Sequence, residues 1–233
     1  MPPNNLNSWT KPKINEALCT LYLRLNGYFT TGLIVHSPEW GNNYTEIDCL
    51  AVHHPNHIQP DRRIGPSPFL ALIDDRIDLL ICEVKSKPCE VAFNERLWSD
   101  PVVVERVLQW AGIFSNIEIP QVVEQLRPIL QEGLNATYTP NGVLTARIRI
   151  RGLLCCPPAT RADLPNGWCL FGSEILYYAN ECFNPTIRRD TCSTRYNFDL
   201  WGSCLAPIVD YFKHLDSEVA PSLENLYKHL GAA

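Results

Sequence analysis

Two short apolar runs of this chain carry charges where a buried strand should carry none. Asp48 sits within Glu46-Ile47-Asp48-Cys49-Leu50-Ala51-Val52, and Glu83 and Lys85 sit within Leu79-Leu80-Ile81-Cys82-Glu83-Val84-Lys85-Ser86. Burying a charge costs several kcal/mol unless it is paired or holds a metal. Strand side chains alternate faces, so Glu83 and Lys85 project together, and so do Glu46 and Asp48. If the two strands pair, carboxylates and an ammonium group meet on one patch. Such a patch suits Mg²⁺ or Mn²⁺, which take hard oxygen ligands, commonly one or two carboxylates plus substrate phosphate. The metal would activate water and offset charge on phosphorus. A neighbouring lysine can orient or deprotonate that water, or act as a fixed cation. The chemistry this predicts is phosphodiester hydrolysis.

Three further aspartates precede Glu83. Asp78 is an odd number of residues away and so falls on the opposite face of a regular strand, while Asp74 and Asp75 belong to a turn. Asp48 is therefore the expected partner. Glu46 shares its face and could serve as a second ligand or support it.

The elements that must position these groups can be read from spacing. Ile14, Leu18, Leu21 and Leu25 repeat at helical intervals, with Pro12 in the first turn and Gly27 as a stop. Strands are predicted over 32–36, 45–53 and 78–86, the last two separated by a proline-rich loop. Asp100-Pro101 starts a helix that ends near Phe114, and a second helix covers 120–132. A strand follows over 145–155, then helices over 173–183, 204–215 and 223–230. This order predicts an α/β protein with a central mixed β-sheet flanked by helices. We expect a single domain, with a core over about 10–160 and a helical, aromatic C-terminal extension over about 161–233.

A leading helix, a strand hairpin bearing Asp48, the Glu83-Val84-Lys85 strand and a helix after it resemble the restriction-endonuclease-like superfamily with its PD-(D/E)xK signature. The resemblance covers about Ile14 to Phe114. It implies that Asp48 and Glu83 bind Mg²⁺ or Mn²⁺, and that Lys85 is the catalytic lysine. Many members add an acidic residue from the first helix, which maps to Glu16. The signature proline is replaced by Ile47. By this resemblance the substrate is nucleic acid, with DNA favoured over RNA. The alternatives are a catalytically inactive binding or assembly module on the same fold, and an enzyme acting on a small phosphate ester.

A second run, Arg147-Ile148-Arg149-Ile150-Arg151, puts three guanidinium groups on one strand face at intervals of roughly 6.6 Å. Arginine grips phosphate bidentately, so this run is a candidate substrate track, against the alternative of a charged face that discourages edge pairing. Lys87 is a candidate backbone contact, and Arg188, Arg189 and Arg195 add charge. The aromatic residues of the C-terminal third could stack bases or, more commonly, fill a core or an interface.

Composition sets the remaining bounds. A net charge of −5 gives no basic footprint, so targeting by a partner or a homodimer is expected. No apolar run reaches the roughly 18 residues of a membrane span, and the start lacks a signal-peptide pattern; the expectation is a soluble, cytoplasmic protein without a membrane partner. The ten cysteines show no C-x2-C pair and are read as reduced thiols acting as small hydrophobes. His53-His54-Pro55-Asn56-His57 reads as a loop following a strand.

Overall fold

The computed structural model describes residues 9–59, 64–70, 75–135, 139–185, 202–216 and 218–232. The first helix, α1 (Lys11–Leu25), begins at Thr10, whose side chain accepts from the Lys13 N–H, and it carries Pro12 in its first turn. It ends where Gly27 takes φ of 84°, a conformation open to glycine at no steric cost. Strands β1 (Phe29–His36), β2 (Asn43–His53) and β3 (Ile77–Val84) follow and form an antiparallel run. A short helix α2 (Glu95–Ser99) leads into α3 (Pro101–Ala111) and α4 (Ile119–Glu132). Asp100 caps α3 by accepting from the Val102 N–H at 3.0 Å.

After α4 the chain forms β4 (Val143–Leu144), β5 (Ile148–Cys156) and β6 (Cys169–Phe171). The sheet is mixed and six-stranded, in the order β1-β2-β3-β5-β4, with β6 joining β5 at its far end. β5 runs parallel to β3, and both β4–β5 and β1–β2–β3 are antiparallel. The strand expected over 145–155 starts three residues later because Thr145 makes a turn. Its N–H donates to the Ile148 carbonyl at 2.8 Å, and its hydroxyl accepts from the Ile148 N–H at 3.0 Å.

Helices α5 (Gly172–Phe183), α6 (Ala206–His214) and α7 (Leu223–His229) complete the described chain. They pack with α1 on one face of the sheet, where Leu80, Cys82, Leu153 and Cys155 point. Helices α2, α3 and α4 cover the other face over Leu79, Ile81, Ile150 and Leu154. β3 therefore has helices on both sides, which accounts for its nearly unbroken apolar run. The C-terminal stretch is more than a helical extension: it supplies β6 and closes one of the two cores. Of its aromatics, Phe171, Tyr178, Phe183, Tyr211 and Phe212 are buried, as the core alternative has it, while Tyr177 is exposed; Tyr196, Phe198 and Trp201 lie outside the described residues. Asp74, Arg188, Arg189 and Arg195 lie outside the described residues. Among the described residues no helix is long and apolar enough to cross a membrane.

Candidate active site

Asp48 is aimed by a fault in the sheet. Along β1 and β2, Thr31 is opposite Leu50 and Leu33 is opposite Ile47, so β2 spends one extra residue across from Gly32. That bulge falls at Asp48-Cys49, and bulges of this kind re-aim side chains beside active sites. On the other side of β2, the ladder to β3 has its last pair at Cys49 and Cys82. Beyond it the Asp48 carboxylate takes over the backbone's part, with Oδ2 accepting from the Val84 N–H at 2.7 Å. The Lys85 N–H is held on the far side by the Cys155 carbonyl at 2.7 Å. The segment Glu83-Val84-Lys85 is thus clamped between β2 and β5 at the carboxyl end of two parallel strands, the usual place for a ligand in such sheets.

Glu83 is almost wholly buried. One oxygen, Oε2, accepts from Lys85 Nζ at 2.8 Å. The other, Oε1, is buried and has no hydrogen-bond partner among the described residues. An orphaned carboxylate oxygen of this kind is costly, and the energetics register it. Burial pushes the Glu83 carboxyl up to about 7, against the pull of Lys85 and with a push from Asp48. Asp48 is raised as well, chiefly by burial and further by Glu46, while the Val84 N–H and Lys85 hold it down. Glu16, on the outer side of α1, feels the same cluster: partial burial raises it, followed by repulsion from Asp48 and Glu46. Asp48 is thus the group the others share: Glu83, Lys85, Glu46 and Glu16 each interact with it, while Lys13 partly offsets the push on Glu16.

Sequence reasoning missed the groups that tie this cluster down. Asn15, buried beside Glu16 on α1, donates to Ser86 Oγ at 3.0 Å and accepts from Tyr227 of α7 at 2.7 Å. A lone asparagine inside an apolar helix face was the available signal. Below Glu83, Cys19 and Cys82 lie with their sulfurs 3.3 Å apart, and all nine described cysteines are free thiols.

The arginine run is not where a substrate track would need to be. Ile148 is in register with Ile77 and Leu154 with Glu83, so the run starts at the opposite end of β3 from Lys85. Six residues of strand separate the two ends, about 20 Å. Arg151 is turned inward and buried against Asp78, with Nη2 at 2.9 Å and Nε at 3.0 Å from its carboxylate. It has no face to offer a phosphate. Arg149 is half-buried beside it, and Arg147 is exposed, just ahead of β5 and near Glu118. The candidate track therefore loses Arg151, because the parallel register of β3 and β5 sets it against Asp78. Lys87 is exposed and pairs with Glu90 at 2.7 Å, a surface contact of little strength.

Asp48 and Glu83 offer hard oxygen donors of the type Mg²⁺ or Mn²⁺ takes, and Glu83 Oε1 is a buried oxygen with no partner among the described residues. Among the described residues no three His, Cys, Asp or Glu side chains are gathered closely enough to form a metal cage by themselves. Ligation through Asp48 and Glu83 would leave positions to water and substrate. Comparisons with protein-family models, with curated proteins and with solved structures find no match to this chain.

Proposed function

We propose that this protein hydrolyses phosphodiester bonds of nucleic acid, DNA in preference to RNA, at the Asp48–Glu83–Lys85 cluster with Mg²⁺ or Mn²⁺. The observation that carries this reading is the buried Glu83 carboxylate, one oxygen on Lys85 and the other unpartnered, beside a second raised carboxylate. A buried carboxylate oxygen without a partner is costly to the fold, and a bound cation would supply the partner it lacks.

Asp48 and Glu83 would hold the metal, which when bound supplies an acidified water and neutralises phosphate charge. Lys85 Nζ commits one proton to Glu83 and keeps two donors for a water or a phosphate oxygen. Asp48 fixes the spacing of the site by holding the Val84 N–H, so its loss would loosen the strand end as well as remove a ligand. Glu16 and Glu46 add negative charge at the rim, which favours cation uptake and orients outer waters.

The test is a cleavage assay on supercoiled plasmid, single-stranded DNA and structured RNA in Mg²⁺, Mn²⁺ or EDTA. Asp48→Ala and Lys85→Ala proteins run beside wild type. Metal-dependent cutting that disappears in both variants is the expected result. Cutting that survives in both would move the chemistry elsewhere. Nucleic-acid binding without cutting in any metal would favour the inactive binding module on the same fold.

A further inference from the structure

Four residues before Asp48, β2 carries a second fault. Val35 is opposite Thr45 but His36 is opposite Asn43, so Tyr44 is an extra residue in the strand. The bulge lets its ring lie against the α2–α3 side of the sheet, where it packs on that core. Two guanidinium groups approach the ring: Arg106 of α3 at 5.2 Å and Arg96 of α2 at 5.7 Å from its centroid. Arg106 also donates to the His36 carbonyl, so the end of the β1–β2 hairpin is pinned to α3. Arg96 is exposed.

The hairpin tip beyond that pin carries Trp40, which is fully exposed at 102%. Its turn is ordered by backbone bonds from Ser37 to Asn42 and from Asn42 to Glu39, and Glu39 accepts from the Asn42 side chain. A rigid turn that presents a whole indole to water forgoes the largest apolar burial any side chain offers. From the foot of this turn, β2 leads from Asn43 to Asp48 over about 17 Å.

We infer that this hairpin tip is a subsite for unpaired nucleic acid, with Trp40 stacking on a base and Arg96 taking a backbone phosphate. The inference rests on the nuclease reading and names where its substrate is held. It also locates positive charge that the total composition withholds: two arginines on the same strand's flank, on the side of the sheet toward which Glu83 and Lys85 point. Tyr44 and Arg106 are positioning residues here. The ring spaces the two guanidinium groups, and Arg106 fixes the tip. Stacking of this sort tolerates any base, so the subsite confers a preference for single strands rather than for a sequence.

The test measures binding of fluorescein-labelled oligothymidylate and oligouridylate in Mg²⁺ by anisotropy, in a Lys85→Ala background so that the probe survives. Trp40→Ala should weaken binding by about five- to a hundredfold, the range of one lost base stack, with Trp40→Phe close to the parent. Arg96→Ala should weaken it too, and should flatten the dependence of log affinity on log salt by about 0.7, the share of one phosphate contact. Both side chains are exposed, so unchanged circular dichroism and melting are expected. If the parent binds and wild type cuts but neither substitution matters, the subsite is wrong and the nuclease reading stands. If no nucleic acid binds and none is cut, the nuclease reading fails and takes the subsite with it. If Trp40→Ala changes the sedimentation of the protein and leaves affinity untouched, the tip is a protein interface instead, and the inference is overturned.

Discussion

Asp78 and Glu83 lie on the same strand, five positions apart, and both are buried. The fold treats them in opposite ways. Asp78 is saturated: Arg151 Nε and Nη2 donate to it at 3.0 and 2.9 Å, and the Tyr28 hydroxyl donates at 2.7 Å. Arg151 in turn reaches the Pro140 carbonyl, and its guanidinium lies 5.9 Å from the Trp168 ring. Burial, and then the nearby Asp78, push the Tyr28 phenol up, so it stays a donor. Glu83 has one lysine, one empty oxygen and a raised carboxyl. A carboxylate that is fully paired serves the fold, and one left short of partners is available to chemistry. The comparison teaches that burial alone does not distinguish the two carboxylates; the partners that each one has do.

The largest effect should come from breaking the saturated end. Arg151→Met leaves Asp78 buried and uncompensated, and should cost about 3–5 kcal/mol in urea denaturation. Adding Asp78→Leu should recover much of that loss, because a charge pair replaced by apolar volume is often neutral. A single substitution costing under about 1 kcal/mol would remove the contrast with Glu83.

At the other end the sign reverses. The folded-state pKa of Glu83 lies above its usual value, so below that usual value both states hold the proton and nothing is lost. As pH rises the unfolded chain releases the proton first, and stability falls until the folded carboxyl ionises near pH 7. In EDTA, Glu83→Gln should therefore stabilise the protein at pH 8 by something on the order of 3 kcal/mol and have little effect at pH 4. Parallel urea curves at the two pH values check this. A variant less stable than wild type at pH 8 would place Glu83 with Asp78 as a structural group.

Cation binding should relieve the same penalty. Mn²⁺ at about a hundred times its Kd should raise wild-type stability by about 2.7 kcal/mol, and should do nothing for Asp48→Ala or Glu83→Gln. Thermal melts in Mn²⁺ and in EDTA report it without reference to activity. The smallest effect should be Tyr227→Phe, which removes one hydrogen bond to Asn15 and should cost about 1 kcal/mol. If cleavage falls more steeply than that stability loss explains, α7 helps to set the position of the Ser86 end of β3.

Much of the framework was legible because periodicity survives in the letters. The stripe Ile14-Leu18-Leu21-Leu25 becomes α1, and Asp100-Pro101 starts α3 as read. The run from Leu79 to Cys82 becomes the central strand for the reason its composition suggests, helices on both faces. Short elements left weaker traces. α2 and β6 span five and three residues, too few for a period to show. The bulges at Tyr44 and Asp48-Cys49 could not be read at all, since they exist only relative to β1.

For the candidate site the division is similar. The types and spacing of Asp48, Glu83 and Lys85 are fixed by sequence, because alternation along a strand is a local property of the backbone. Which buried charges would find partners is not local. Arg151, a candidate for either a substrate face or an exposed charged face, instead meets Asp78, 73 residues away along the chain. Parallel pairing of β3 with β5 decides that contact, and the same register leaves Glu83 beside Leu154, a neighbour with nothing to donate. The sequence by itself determined the charges and the strands that carry them; strand register, a property of the assembled sheet, decided which charge was neutralised and which was left open.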